Sequence, residues 1–314
     1  MPLLKFTKMH GLGNDFIVVD NTRGEWHFET QTIRALADRK LGVGFDQLLI
    51  CEQASSDDAE FDYRIYNADG LEVEHCGNGA RCFARFVRDR QLTDSTVIPV
   101  NTAAGRLELV VLDDDQVKVK MGTPAFEPDN IPLALDSNGS SGVTPVTDTV
   151  NNNGYDHSVA YRLAVDNVTI NGLDTNALLN FDAASSSVLV GALSIGNPHV
   201  VIQVPTVDTA PVNQLGAWLQ THAAFPARVN VGFLQVINRN EARLRVFERG
   251  VGETRACGTG ACAAAAFGYR FGIFDRNVQI TLAGGPLEIY WPDVADDIEM
   301  TGPCTTVYEG LIEM

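Results

Sequence analysis

Short apolar runs separated by turn residues carry most of the chain, and only a few stretches keep a helical period. Phe6 to Met9 and Phe16 to Val19 read as strands on either side of the loop Gly11-Leu12-Gly13-Asn14-Asp15, whose glycines let the backbone turn sharply. A helix is predicted from about Thr30 to Arg39, and Gly42-Val43-Gly44-Phe45-Asp46-Gln47 then leads into a strand from Leu48 to Cys51. Strands follow around Thr96 to Asn101, Arg106 to Leu112 and Gln116 to Met121, with Asp113-Asp114-Asp115 as a turn. Tyr161 to Val165 reads as a strand and Asp174 to Asn180 as a helical turn. Val188 to Leu193 and Val200 to Val204 read as strands around Ser194-Ile195-Gly196-Asn197-Pro198-His199. Asn-Pro favours a turn, which would present Asn197 and His199 at a strand junction.

Two stretches of this pattern are versions of one another. RIYNADGLEVEHCGNGA runs from Arg64 to Ala80, and RVFERGVGETRACGTGA runs from Arg245 to Ala261. With Cys76 set on Cys257, Arg64 falls on Arg245, Tyr66 on Phe247, Glu72 on Glu253 and Gly77 on Gly258, with no gap. Each copy starts with a β-branched and aromatic run typical of a strand, passes a glycine-bearing turn and opens a helix at Cys-Gly-x-Gly-Ala. In the first helix, Ala80 to about Arg90, the residues Ala80, Phe83, Ala84 and Val87 share one stripe at i, i+3, i+4 and i+7. The second, Ala261 to Phe267, is apolar all round and is expected to be a buried central helix.

This grammar places Cys76 and Cys257 at helix N-termini, where unpaired N–H groups and the macrodipole favour negative charge. Such a setting lowers a thiol pKa and supplies thiolate near neutrality. The free N–H groups beside Gly77 and Gly258 can also hold a carboxylate. A lone cysteine in this setting is more often a small buried core residue. Two in matching glycine-rich openings point instead to a pair of acid/base groups facing one cleft. The reaction that needs such a pair is stereoinversion at a carbon acid, one group taking a proton from one face and the other returning a proton to the opposite face.

Composition narrows the alternatives. A length of 314 residues is enough for two domains with their own cores. The formal charge of −17, from 40 acidic against 23 basic residues, argues against a nucleic-acid partner. No apolar run approaches a transmembrane span. MPLLKFTKMHG lacks the regions of a secretory signal, so the expectation is a cytoplasmic protein with no membrane partner. Of the cysteines, Cys76 and Cys82 are spaced C-x5-C and Cys257 and Cys262 C-x4-C, poor zinc signatures, and no metal site is expected. Free thiols are expected, with Cys82 and Cys262 in the core, while Cys51 and Cys304 carry no local signal. All five lysines lie at or before Lys120, outside both copies, consistent with chemistry that needs no pyridoxal Schiff base.

The stretches HGLGNDF (His10 to Phe16), NADG (Asn67 to Gly70), EHCGNGARC (Glu74 to Cys82), GNPH (Gly196 to His199), ERGVGET (Glu248 to Thr254) and ACGTGAC (Ala256 to Cys262) together resemble the diaminopimelate epimerase family. The resemblance spans nearly the whole chain, except about Asp136 to Ser187. It implies an α/β (α+β) fold of two pseudo-symmetric halves, each a mixed sheet or barrel wrapped round a central helix, with the active site in the cleft between them. The implied activity is cofactor-independent epimerisation of LL-2,6-diaminopimelate to the meso form, on the way to lysine and peptidoglycan. It further implies Cys76 and Cys257 as acid/base groups, with His199 and Glu248 assisting. Asn14, Gln47, Asn67, Gly77, Asn78, Asn197, Asn230, Arg249, Gly258 and Thr259 become substrate contacts, and Tyr308 a contact in a homodimer.

One break in the repeat bears on specificity. Asn67-Ala68 in the first copy becomes Glu248-Arg249 in the second, where Arg249 can bind a distal carboxylate bidentately and Glu248 can pair with an ammonium. An exposed Glu-Arg ion pair worth at most about 1 kcal/mol is the bland alternative. The halves are expected to span 1–127 plus about 303–314, and 128–302, with the crossing in the proline-bearing stretch Thr123 to Pro132. The polar segment 136–187 is expected to be a peripheral loop or extra hairpin without a catalytic part, and its sequons at Asn138 and Asn167 mean nothing in a cytoplasmic chain. Two other readings stay open: a proline or hydroxyproline racemase-type enzyme with the same paired-cysteine logic, and a non-enzymatic thiol protein acting in redox or metal binding.

Overall fold

The structure, a computed structural model, describes residues 2–73, 76–114, 116–135, 142–146, 159–165 and 173–314. Glu74, His75, Asp115 and the sequons at Asn138 and Asn167 lie outside the described residues. The fold is mixed α+β, dominated by strands, and the chain forms two compact units, 1–120 with 300–314, and 121–299. No helix among the described residues is long and apolar enough to cross a membrane.

The first unit runs β1 (Leu3–Gly11), β2 (Asn14–Asn21), α1 (Thr30–Ala37), β3 (Gln47–Gln53), β4 (Phe61–Asn67), α2 (Gly77–Asp89), β5 (Val97–Thr102), β6 (Gly105–Val111) and β7 (Val117–Lys120). Neighbouring strands from β1 to β6 pair antiparallel, parallel, antiparallel, parallel and antiparallel. A parallel step needs a crossover, and the two are supplied by α1 and α2. Helix α2 packs on β1, β2, β3, β6 and β7, which explains why Ala80, Phe83, Ala84 and Val87 are fully buried. The other face of the sheet, with Ile17, Val19, Leu48 and Ile50, is covered by Ile33 and Leu36 of α1. Strands buried on both faces read as unbroken apolar runs, as Phe16 to Val19 does.

The second unit holds β8 (Val143–Pro145), β9 (Ala160–Ala164), β10 (Phe181–Asp182), β11 (Ser187–Ser194), β12 (Pro198–Gln203), α3 (Val212–Gln220), β13 (Asn230–Asn238), β14 (Glu241–Glu248), β15 (Gly252–Thr254), α4 (Gly258–Arg270), β16 (Asn277–Leu282) and β17 (Gly285–Tyr290). From β11 through β12, β13, β14 and β16 to β17, the pairing is again antiparallel, parallel, antiparallel, parallel and antiparallel. Helices α3 and α4 occupy the two crossovers, so the likeness of the two sequence copies extends to the topology around them. Helix α4 packs on strands β11 to β14, β16 and β17. The chain then passes β18 (Glu299–Gly302) and returns to the first unit as β19 (Thr305–Glu313), antiparallel to β1.

Three local features differ from the sequence expectation. The predicted five-residue loop at Gly11 is a two-residue hairpin turn, with Leu12 at φ 56° and Gly13 at φ 91°. Two positive φ values match the right-handed twist of the flanking strands, and burial of Leu12 offsets the strain of a non-glycine there. Asn14 and Asp15 therefore open β2 rather than sit in a loop. Strand β12 begins at Pro198, two residues before the expected Val200, so His199 is its second residue and stands at the junction with the turn. In the polar segment, β8 pairs with β9 and β9 with β11, and Val143, Tyr161, Leu163 and Val165 join the core of the second unit. That hairpin is thus part of the sheet, held by apolar residues that sparse polar composition hides.

Candidate active site

Both cysteines are N-caps of thirteen-residue helices: Cys76 before α2 and Cys257 before α4. Each has extended backbone angles, φ −147° and ψ 104° at Cys76, φ −130° and ψ 105° at Cys257. Upstream of each helix the same clamp recurs. Arg64 bonds both oxygens of Glu72 at 2.8 and 2.9 Å, and Arg245 both oxygens of Glu253 at 2.6 and 2.8 Å. These bidentate pairs tie the strand to the return of the glycine turn and fix the approach to each helix. Each helix also ends alike, with a left-handed residue at the same offset: Gln91 at φ 55° and Gly272 at φ 80°.

At Cys76 the sulfur accepts the Gly79 N–H at 3.4 Å and lies 3.8 Å from Asn14 Oδ1. Asn78 donates to the same Asn14 oxygen at 3.3 Å. Gln47 Nε2 donates to Asn67 Oδ1 at 2.8 Å across the β3–β4 pair, and Gln47 Oε1 is buried with no donor among the described residues. Asn14 therefore touches both Cys76 and Asn78, with Gln47 and Asn67 as a second pair on neighbouring strands. Asn14 is held by an ionic cluster: Asp46 accepts its amide at 2.9 Å, Arg39 pairs with both Asp15 and Asp46, and Lys8 pairs with Asp15. Burial works to raise the Asp15 carboxyl, but hydrogen bonds from Arg39 and Lys8 outweigh it and hold it at about 2.

At Cys257 the sulfur is 3.6 Å from the Thr259 hydroxyl. Asn197 donates to that hydroxyl at 3.4 Å, and His199 Nε2 meets Asn197 Oδ1 at 2.9 Å. Against the lowering expected at a helix N-terminus, burial, and then the charge of Glu248, push the Cys257 thiol well above the ordinary thiol range, while the Thr259 hydroxyl acts in the opposite direction. Glu248 itself is oriented by a short hydrogen bond from Thr254. Burial, with a smaller push from Arg249, lowers the His199 imidazole to about 3, so it is neutral near pH 7 and orients Asn197 rather than supplying a charged acid. Asn230 uses both ends of its amide within the fold, accepting from the Arg249 N–H at 2.8 Å and donating to the Pro198 carbonyl at 3.3 Å. It therefore presents Arg249, whose side chain is exposed and donates to the Ala227 carbonyl at 3.2 Å.

The residues singled out in the sequence thus gather into two sets: Asn14, Gln47, Asn67, Cys76, Gly77 and Asn78 in the first unit, and Asn197, His199, Asn230, Glu248, Arg249, Cys257, Gly258 and Thr259 in the second. Tyr308 stands apart on β19, its ring edge-on to Phe6 at 6.0 Å. Sequence reasoning missed Asp46 and Thr254, which orient Asn14 and Glu248. It also gave no role to Arg81, although the alignment that sets Arg81 against Cys262 marks it as a difference between the copies. All six cysteines are free, and among the described residues no three His, Cys, Asp or Glu side chains gather to hold a metal ion.

Residues 6–127 and 191–307 match the diaminopimelate epimerase family. A diaminopimelate epimerase of Ectopseudomonas mendocina is 47% identical over 312 residues, covering 99% of this chain and 100% of that one. The chain belongs to the diaminopimelate epimerase family. The match contains both cysteine caps and every candidate residue around them, and it omits 128–190, where β8 to β10 lie. Beyond the family, the fold is shared with a phenazine biosynthesis protein of the PhzF family from Bacillus anthracis, at TM-score 0.68 and 17% identity over 100% of both chains. A hydroxyproline epimerase from Agrobacterium vitis, solved with bound trans-4-hydroxy-L-proline, has TM-score 0.63 and 14% identity over 99% of this chain and 92% of its own. At these identities the likeness is one of fold.

Proposed function

We propose that the chain epimerises LL-2,6-diaminopimelate to the meso isomer without a cofactor, with Cys76 and Cys257 acting from opposite sides of one α-carbon. The observation that carries this is the recurrence of one cysteine-capped helix in both units of a chain 47% identical to a diaminopimelate epimerase. In one direction a thiolate takes the α-proton and becomes a thiol. The opposite thiol gives its proton to the other face of the carbanion and becomes a thiolate. Proton exchange with solvent between turnovers restores the starting form.

The first-turn N–H groups at Gly77-Asn78 and Gly258-Thr259 are the donors for the α-carboxylate, where they stabilise charge that develops as the proton leaves. Glu248 beside Cys257 suits an ammonium and moves protons to and from that sulfur, and the exposed Arg249 suits the distal carboxylate. Gln47 Oε1, buried without a donor among the described residues, suits an ammonium hydrogen as well. Asn14, Asn67 and Asn197 bind remaining polar groups, while His199 and Asn230 act through Asn197 and Arg249. The enzyme is read as cytoplasmic and as serving lysine and peptidoglycan synthesis. A homodimer is supported by β19, which exposes Val307, Tyr308 and Leu311 together.

The test is epimerisation from the LL isomer in heavy water, stopped early. Two bases require solvent deuterium in the meso product while recovered LL substrate stays largely unlabelled, and Cys76→Ala and Cys257→Ala must each abolish net conversion. Early product rich in the original hydrogen, or a Cys257→Ala enzyme that still inverts near the parent rate, would falsify the two-thiol assignment.

A further inference from the structure

Cys76 touches a hydrogen-bonded chain whose two ends carry opposite charge. Arg81, fully buried on α2, donates through Nη2 to Asn78 Oδ1 at 3.0 Å. Asn78 donates through Nδ2 to Asn14 Oδ1 at 3.3 Å, and Asn14 donates through Nδ2 to Asp46 Oδ2 at 2.9 Å. A guanidinium has only donors and a carboxylate only acceptors, so the ends dictate the polarity of both amides between them. Asn78 must turn its oxygen to Arg81, and Asn14 its nitrogen to Asp46. The outcome is that Asn14 presents an acceptor to the Cys76 sulfur, 3.8 Å away. With either end removed, an amide can rotate by half a turn and offer the sulfur a donor instead.

Both ends are themselves held in place. Arg81 also donates through Nε to the Pro303 carbonyl at 3.2 Å and through Nη1 to the Gly77 carbonyl at 3.5 Å. Asp46 accepts from the Asp15 N–H at 3.1 Å and from Arg39 at 2.7 Å, and its own carbonyl accepts the Ala68 N–H at 3.1 Å. At Cys257 the arrangement differs. Cys262 stands where Arg81 stands in the first copy, and Asn197 lies between His199 and the Thr259 hydroxyl.

We infer that Arg81 and Asp46 are positioning residues of the epimerisation, acting through Asn78 and Asn14 to keep an acceptor turned toward Cys76. The inference rests on the two-thiol reading, but one arm of its test needs no substrate.

The test is a double-mutant cycle with Asp46→Asn and Arg81→Met, read as kcat/KM for the epimerisation and as the pH midpoint of Cys76 alkylation followed by peptide mass spectrometry. Each single variant is expected to lose roughly 10- to 100-fold in kcat/KM, as a misplaced catalytic group does. The double variant should fall within about threefold of the worse single, because breaking one end already frees the amides, whereas independent sites give losses that multiply. Arg81→Gln, whose amide can face Asn78 with either end, replaces Arg81→Met in the cycle if the latter fails to fold. In Asp46→Asn the Cys76 midpoint should move to lower pH by about half a unit or more, since an N–H replaces a carbonyl beside the sulfur. Cys257, alkylated in the same sample, should keep its midpoint.

Multiplying losses, single variants within threefold of the parent, or an unmoved Cys76 midpoint would overturn the inference. A parent protein inactive on diaminopimelate would overturn the proposed reaction and leave the alkylation arm readable.

Discussion

The third residue of each cysteine-capped helix is glycine, and the two alanine substitutions there should fail in different ways. A Cβ at Gly79 would lie 2.5 Å from the Tyr63 hydroxyl and 3.2 Å from Leu49. Tyr63 cannot retreat, because it is 1% exposed and packed on Phe83 with ring centroids 4.5 Å apart. Overpacking of this kind costs about 1–3 kcal/mol, against a gain of roughly 0.5–1 kcal/mol for replacing a helical glycine by alanine. The net loss is about 1–2 kcal/mol, which lowers the melting temperature by about 2–3 °C at this size. A Cβ at Gly260 would meet Val246 at 3.1 Å and the Cys257 sulfur at 3.2 Å, contacts that a few tenths of an ångström relieve. Gly260→Ala should therefore keep its melting temperature within about 1 °C, yet lose roughly 10- to 100-fold in kcat because the sulfur is what moves. Differential scanning calorimetry and an epimerisation assay on the two proteins separate these effects. A Gly79→Ala protein as stable as the parent, or a Gly260→Ala protein with parental kcat, would refute the reasoning for that site.

His199 is held neutral down to about pH 3 although an unfolded histidine takes its proton near 6.5, so stability should be flat above pH 6.5 and fall as pH drops toward 3. His199→Gln should flatten that slope in melting curves taken between pH 7 and 4. Asp15, held at about 2 against an ordinary 3.8, adds a second loss confined to pH below about 4, absent in Asp15→Asn. Val143→Asp buries a carboxylate at a position 2% exposed and should lower stability by about 2 kcal/mol or more, while the folded fraction keeps turnover within a few-fold. Leu311→Glu, at a side chain 64% exposed on β19, tests the proposed homodimer: light scattering should give a dimer for the parent and a monomer for the variant, with no lower melting temperature at high dilution.

What the sequence determined by itself was whatever repeats or has a strict local period. The gap-free match of Arg64–Ala80 to Arg245–Ala261 located both helices, both cysteine caps and the strands before them, because capping, glycine turns and apolar stripes are local devices. The apolar runs Phe16 to Val19 and Val188 to Leu193 were legible as strands for the same reason. Tertiary structure decided α3, whose Gly216 is a poor helix residue by propensity but leaves room where a Cβ would lie 2.4 Å from the Phe247 ring. It decided that Val143 to Pro145 is a strand, since three residues carry no period until β9 pairs with them. It also decided the partners that aim the site. Asp46 and Arg81 are one position before Gln47 and five after Cys76, and nothing in that spacing says that both bear on the amide of Asn14. A hydrogen-bonded chain is assembled from strands and helices distant in sequence, so its polarity exists only once the fold has brought the donors and acceptors together.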